Sequence, residues 1–367
     1  MQSLRWMAVA IGLSVLLAGA SCQAAAGGIP FTVAEVTSTD GTVFNVTWQG
    51  EGVRSVRVFA GPAPDRIDRS REVAHGGARD AAKIGPLPAA PRWYFELSPD
   101  RGDALVIAER SLRLASAPNF RDIGGYRTGD GKWVRMGLIY RSDGLESLSD
   151  ADLATVAALH LHLVCDLRTD KERTKGRDRL PADVEAAVFD VAGAENEEGR
   201  RLTAAMANRE DEQRLLGNGG ADGLMQALYR DFAVDATAQD AYHRLFARLS
   251  QSDTLPSTFH CSAGKDRSGW AAAVLLTLLG VPDQTVMADY LASNDYLRAS
   301  HEKMVQRLAA KLDPAPLEPI FTVRAAYLAT ALRAMGDQYG SFDNYLARGL
   351  KLDASTQQSL RRIMLIE

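Results

Sequence analysis

The chain has 367 residues, 46% of them hydrophobic, and its 42 basic and 46 acidic side chains nearly cancel to a formal net charge of -4. This length and apolar content exclude wholesale disorder and leave room for one large domain plus a smaller one. The near-neutral balance argues against a nucleic-acid binder held by a basic surface, and three cysteines, Cys22, Cys165 and Cys261, are too few for a disulfide framework.

Residues 1–20 read as a signal peptide: Arg5, an apolar run from Trp6 to Leu17, then the small-x-small pattern Ala18-Gly19-Ala20. The expectation is an exported protein, periplasmic or secreted, whose mature chain starts near Ser21. Leu17 and Cys22 offer lipoprotein anchoring as the alternative, although Gly19 stands where such a signal has a large aliphatic residue. No later segment offers the roughly twenty uncharged apolar residues of a membrane span, so no transmembrane span is expected.

From residue 29 to 113 the sequence runs in short alternating stretches, at 31–36, 43–48, 53–59, 93–97 and 104–108, separated by turn residues such as Asp40-Gly41 and Gly50-Glu51-Gly52. Period-two alternation at this spacing predicts a small all-β sandwich, with Trp48 a candidate core aromatic. The pattern resembles a fibronectin type III or immunoglobulin-like domain.

Beyond about Ser116 the texture changes to helices alternating with short apolar strands, the pattern of an α/β domain with helices covering a mostly parallel sheet. A domain boundary is therefore expected near 113/114. Ser149 precedes a helical pattern through Leu159, and His162–Leu167 and Pro256–His260 read as buried strands. The polar stretch from Ala194 to about Gly223 has two readings, a lid over the site or an exposed helix with its loop. From Gln284 onward the sequence predicts amphipathic helices interrupted by prolines and glycines.

Between the strand ending at His260 and the helical run Trp270–Leu279 lies the loop Cys261-Ser262-Ala263-Gly264-Lys265-Asp266-Arg267-Ser268-Gly269. A strand-loop-helix of this kind points backbone N–H groups and the positive end of a helix dipole at one small volume, which suits an anion. A cysteine placed first in such a loop is expected to be stabilised as a thiolate. Arg267, six residues on, can grip two phosphoryl oxygens with its planar fork, as lysine cannot.

This string resembles the protein tyrosine phosphatase superfamily, and specifically the bacterial tyrosine phosphatases with a Gly-Lys-Asp-Arg loop. Asn119-Phe120-Arg121-Asp122-Ile123-Gly124-Gly125-Tyr126, Tyr140-Arg141-Ser142, Asp166-Leu167-Arg168 with Glu172-Arg173, Asp289-Tyr290-Leu291 and Tyr339–Phe342 are similar to further motifs of that family, from about 112 to 367. The resemblance implies a phosphatase-like sheet flanked by helices over 114–367 and phosphomonoester hydrolysis through a cysteinyl-phosphate. Its substrates would be phosphotyrosine proteins, with phosphoserine, phosphothreonine or phosphoinositides as alternatives. It assigns the nucleophile to Cys261, transition-state binding to Arg267 and a thiol-orienting role to His260. Ser262, Ala263, Gly264 and Gly269 complete the cradle, and Ser268 helps the sulfur leave. Lys265 adds charge suited to substrates with more than one phosphate.

Asp266 is the preferred general acid, with Asp190 its competitor, because no Trp-Pro-Asp acid loop is recognisable. No metal or cofactor is called for: the six histidines show no ligand pairing, and His160 and His162 read as surface and edge residues. Asp122, Arg121, Arg141 and Asp166 have two readings, support for the site or mutual pairing beneath the sheet. Cys165 reads as a core thiol, with a disulfide to Cys261 the alternative. A noncatalytic phosphate-binding module and a sulfurtransferase are the competing functions.

Overall fold

In the computed structural model, which describes residues 28–192 and 197–367, alternation in the amino-terminal part becomes two antiparallel sheets. The leader pattern and Cys22 lie outside the described residues. Strands β1 (Phe31–Ser38), β2 (Phe44–Gly50), β3 (Ser55–Gly61), β4 (Asp68–Gly77), β5 (Arg79–Ile84), β6 (Tyr94–Pro99) and β7 (Leu105–Ala108) assemble in the orders β1-β2-β5 and β4-β3-β6-β7. Phe31, Phe44, Val46 and Trp48 from one sheet share a core with Val56, Val58, Phe95, Leu97 and Ile107 from the other. Trp48 Nε1 donates to the Gly77 carbonyl at 2.9 Å, tying β2 to the end of β4. β4 and β5 escaped the pattern reading because most of their side chains face water; their backbone ladders to β3 and β2 hold them instead.

The rest of the chain builds a second sheet system from β8 (Arg121–Asp122), β9 (Trp133–Val134), β10 (Ile139–Ser142), β11 (Leu163–Asp166), β12 (Glu185–Val188), β13 (Ser257–His260) and β14 (Leu365–Ile366). Its main sheet runs β12-β11-β13-β10-β8, parallel except for the β8 edge. β13, which feeds the loop, is therefore central, with all four residues buried as a parallel strand covered on both faces requires. β9 pairs with β14, bringing the last strand back onto the middle of the chain.

The helices are α1 (Asp150–Ala157), α2 (Asp170–Lys175), α3 (Glu197–Ala205), α4 (Arg209–Leu216), α5 (Gly220–Val234), α6 (Ala236–Leu249), α7 (Arg267–Leu278), α8 (Asp283–Leu291), α9 (Ser293–Leu308), α10 (Pro314–Phe321), α11 (Ala325–Tyr339), a short α12 (Phe342–Asn344) and α13 (Ala354–Met364). α7 is apolar on nearly every face and buried throughout except at Arg267 and Thr277; it starts three residues earlier than the run from Trp270 suggested. Within 197–223 the chain is largely helical, and part of it turns inward: Ala205, Leu216 and Ala221 join the core, and buried Glu212 accepts from the Asp313 N–H at 2.9 Å.

The two halves exchange side chains. Trp133 and Met136 lie in the amino-terminal core, Trp133 Nε1 donating to the Phe31 carbonyl at 3.2 Å. In return, Arg92 enters the carboxy-terminal half and bonds Asp122 at 2.8 Å, the hydroxyls of Tyr94 and Tyr140 at 3.0 and 3.1 Å, and the Glu109 carbonyl at 2.9 Å. No helix among the described residues is long and apolar enough to cross a membrane.

Candidate active site

The loop leaves β13 at His260 and runs directly into α7, whose first residue is Arg267. Gly264 is the residue that lets it fold back: its φ of +67° is a left-handed value that L side chains resist, and a Cβ there would stand 2.3 Å from the Ser142 carbonyl oxygen. With the loop so folded, the Gly264 N–H points at the Cys261 sulfur, 3.2 Å away. Two loop carbonyls are held outward: Asn119 Nδ2 donates to Ala263 O at 2.9 Å and Arg141 Nη2 to Gly264 O at 2.8 Å. Cys261 itself is buried, while Ser262 is exposed at the mouth.

Arg267 returns over the same loop. Its two terminal nitrogens each meet one oxygen of Glu172 at 2.7 Å, a bidentate fork. Ser262 Oγ donates to the same carboxylate at 2.5 Å. Glu172 is held from behind by its place in α2, where Thr169 and Glu172 form a reciprocal capping box. Burial opposes the ionised carboxylate, but the Arg267 contact and the capping bonds outweigh it and hold Glu172 well below the usual carboxylate range. Arg267 is likewise penalised by burial, yet Cys261 and Glu172 raise it above its ordinary value.

Beneath the loop lie two further guanidiniums. Arg121 and Arg141 share Asp289, at 3.2 and 2.7 Å, and all three are sealed from solvent. Burial, then the neighbouring Arg121, bring Arg141 down to about 10, while Asp289 is depressed by both arginines despite its own burial. The mutual pairing reading of Arg121, Asp122, Arg141 and Asp166 is thus corrected: each takes a partner from elsewhere, because adjacent strand positions alternate faces and aim these side chains at different helices and loops. Asp122 pairs with Arg92, Arg121 and Arg141 with Asp289, and Asp166 with Arg168.

Asp266 lies at the amino-terminal edge of α7 and accepts from Lys265 Nζ at 2.9 and 2.8 Å and from the Tyr229 hydroxyl at 2.8 Å, which in turn accepts from Tyr290 at 2.7 Å. Lys265 is buried, its ammonium turned onto Asp266 and the Thr322 carbonyl. Ser268 Oγ is sealed in with no hydrogen-bond partner among the described residues, and Gly269 gives Tyr290 room to pack close by. Asp190 sits just past β12 and accepts from the Ala192 N–H at 3.1 Å. One carboxyl that sequence reasoning passed over is Asp143, buried at the end of β10 beside the loop. Burial pushes it up to about 7, and the bonds from its own backbone, the Asn119 N–H and Ser142 offset only part of that.

Cys165 and Cys261 are both free thiols. Cys165 stands opposite Phe259 in the parallel register, two positions short of Cys261, and its complete burial pushes its thiol far up, the behaviour of a core residue. His160 and His162 are exposed, as expected.

Comparison with known proteins agrees with this geometry. A family model described as "Tyrosine phosphatase family" matches residues 112–366. A Cupriavidus necator protein that bears a provisional tyrosine-protein phosphatase name is 33% identical over 265 residues, covering 69% of this chain and 88% of that one. The Mycobacterium tuberculosis "Triple specificity protein phosphatase PtpB" is 32% identical over 277 residues, covering 69% and 98%. A tyrosine-protein phosphatase of Nostoc commune is 29% identical over 212 residues, covering 56% and 67%. From Leu112 onward, then, this is a phosphoester hydrolase, and the chain belongs to the tyrosine phosphatase family.

Proposed function

We propose that the protein hydrolyses phosphomonoesters through a cysteinyl-phosphate intermediate formed on Cys261. The observation that carries the reading is the Gly264 N–H on the Cys261 sulfur at 3.2 Å, in a loop whose Arg267 interacts electrostatically with that sulfur and is held ready as a fork by Glu172. Preorganised donors of this kind stabilise charge as it develops on a transferring phosphoryl group. The sulfur attacks phosphorus, the bond to the leaving oxygen breaks, and that oxygen takes a proton from an acid. Water then attacks phosphorus and frees the sulfur, a departure that the Ser268 hydroxyl, without a hydrogen-bond partner among the described residues, would assist.

Asp266 is the proposed acid; to serve, it must carry a proton rather than accept from Lys265 and Tyr229, so substrate would have to draw Lys265 toward the phosphoryl oxygens. Asp143 is the second reading, favoured by burial that lets it keep a proton near neutrality. Phosphotyrosine proteins are the proposed substrates, with phosphoserine, phosphothreonine and phosphoinositides alongside, in line with the name of the triple-specificity relative. The proposed organisation is a fibronectin-like or immunoglobulin-like sandwich over 29–113 followed by the phosphatase unit, exported by the leader pattern of residues 1–20.

Cys261→Ser tests the mechanism. The alcohol keeps the shape but stays protonated near neutrality, so turnover of p-nitrophenyl phosphate should fall at least a thousandfold while inorganic phosphate still binds. Turnover near the wild-type rate would sink the proposal.

A further inference from the structure

His260 precedes the nucleophile, and both of its ring nitrogens face acceptors. Nδ1 lies 3.4 Å from the Cys261 carbonyl oxygen. Nε2 lies 3.1 Å from Asp178 Oδ2 and 3.8 Å from Asp166 Oδ1, close enough for charge contact although off the hydrogen-bond line. Neither a carbonyl nor an ionised carboxylate has a proton to give, so a neutral ring would leave one nitrogen lone pair facing an oxygen lone pair.

The charges around the ring point the same way. Arg168 bonds Asp166 and Asp178, at 2.8 and 2.7 Å, and its side chain is 3% exposed. One buried carboxylate, Asp166, and one half-buried, Asp178, thus meet one buried guanidinium, with Glu146 on the more exposed rim at 3.0 Å. A proton on both nitrogens of His260 balances the sealed part of the cluster, and buried charges persist only when so paired. Burial works against the Asp178 carboxylate, but His260 and then Arg168 bring it below its ordinary range. Asp166, Asp178 and His260 are also the one group among the described residues whose spacing could suit a metal ion. Arg168 already supplies the cation there.

The segment that carries Asp178 is fixed to the rest of the site. The Arg179 N–H donates to Leu145 O at 3.1 Å, Arg179 Nη1 to Leu148 O at 2.7 Å and Arg168 Nη1 to Gly176 O at 3.2 Å. On the other side, β11 and β13 stand in a register that places Asp166 opposite His260, with Leu167 N–H on the His260 carbonyl at 2.9 Å. We propose that Asp178, from the loop between α2 and β12, is a positioning residue that holds His260 as an imidazolium against the Cys261 backbone and so favours the thiolate. The proposal rests on Cys261 being the nucleophile and deepens that reading.

The other groups that interact with the Cys261 sulfur are the Gly264 N–H, Arg267 with its partner Glu172, Arg141 with its partner Asp289, and Tyr242; the Lys265–Asp266 pair and Asp143 belong to the loop and its flank. None of them touches His260 through Asp178. Removing that carboxylate therefore tests one contribution while the rest stay in place.

The experiment is Asp178→Asn in the full chain, with Asp178→Glu as the conservative control. Both the acid limb of kcat/KM for p-nitrophenyl phosphate and the pH midpoint of Cys261 alkylation by iodoacetamide should rise by about one pH unit in Asp178→Asn. Asp178→Glu should keep most of the wild-type midpoint. A folded Asp178→Asn protein with an unmoved alkylation midpoint overturns the proposal. Alkylation reads the thiol whether or not it is the nucleophile, so a catalytically active Cys261→Ser would sink the mechanism and leave the Asp178 result standing on its own. Nitrogen NMR of histidine-labelled wild type requires no variant: His260 should show protons on both ring nitrogens at pH 7, and a neutral tautomer overturns the proposal even where Asp178→Asn does not fold.

Discussion

Three candidate carboxyls differ in what surrounds them, and that difference separates their roles. Asp266 is saturated with donors, Asp143 is buried with few, and Asp190 lies past the end of β12. A general acid matters most for a poor leaving group. The Asn variant of the true acid should therefore lose about 10²- to 10⁴-fold on phenyl phosphate and far less on p-nitrophenyl phosphate. Equal losses on both substrates assign a bracing role instead, and the variant that shows the unequal loss names the acid. Asp143 carries a separate stability signature. Its folded-state value, about 7, lies above the ordinary 3.8 of an unfolded aspartate. It therefore adds stability below about pH 4, which is lost progressively as pH rises to about 7. The Tm of Asp143→Asn relative to wild type should accordingly be higher at pH 8 than at pH 4, and a pH-independent difference would contradict the burial argument. The nucleophile, the arginine and the histidine were legible in the sequence because they fall within one contiguous string. Glu172 left a trace, the Thr169-x-x-Glu172 capping signature ahead of a helix. Asp178 left none: a single aspartate in a coil acquires meaning only when parallel pairing sets β11 beside β13.

At the scale of elements, the loop is shaped as much by β10 and the turn before β8 as by its own residues. Ser142 leaves no space for a side chain at 264, while Asn119 and Arg141 pull two carbonyls away from the anion volume. Gly264→Ala adds a methyl that meets backbone rather than a flexible side chain, at a φ that alanine resists. The loop should open, costing at least a hundredfold in kcat, because one misplaced donor group alone costs on that order. Far-ultraviolet circular dichroism should remain that of the wild type, since α7 and β13 are held by their own core; normal activity in that variant would show that the Gly264 backbone is not part of the cradle. The parallel strands and α7 were readable because apolar runs bounded by turn residues are local signals. β4, β5 and the β9–β14 pair were not, since ladders of exposed or two-residue strands depend on partners distant in sequence. The stretch 197–223 is helical and mostly exposed, as one of its two readings had it; its inward-facing Ala205, Leu216 and Ala221 were not legible because they fall on three different helices, so the segment by itself shows no sustained stripe.

For the whole molecule, the decisive contact is Arg92. Asp122 is fully buried, and among the described residues it accepts, besides Arg92, only from the Gly124 and Gly137 N–H groups, each at 2.7 Å. Arg92→Met keeps bulk but strands that carboxylate. Loss of one partner of a buried pair costs about 3–5 kcal/mol, so urea denaturation should show a fall of that size, and a change under 1 kcal/mol would mean that water or a neighbour satisfies Asp122. Double substitution with Asp122→Asn should return part of the loss, as coupled neighbours do. Neither the sequence pattern nor the family match, which starts at Leu112, announced this link, because it joins residue types on opposite sides of the expected boundary.

Trp133 and Met136 make the dependence mutual, and this bears on how such a protein could be rearranged by recombination. A crossover at residue 112, the natural seam by similarity, would hand a foreign amino-terminal unit two apolar side chains with no cavity to receive them. It would also leave the original unit with a hole at the same place. A viable exchange has to carry a discontinuous parcel: the two amino-terminal sheets together with the turn from Arg127 to Gly137, and with it the last strand that pairs to Trp133 and Val134. In lineages where the front unit has been replaced, Arg92 and Trp133 should therefore change together, although 41 positions and a family boundary separate them.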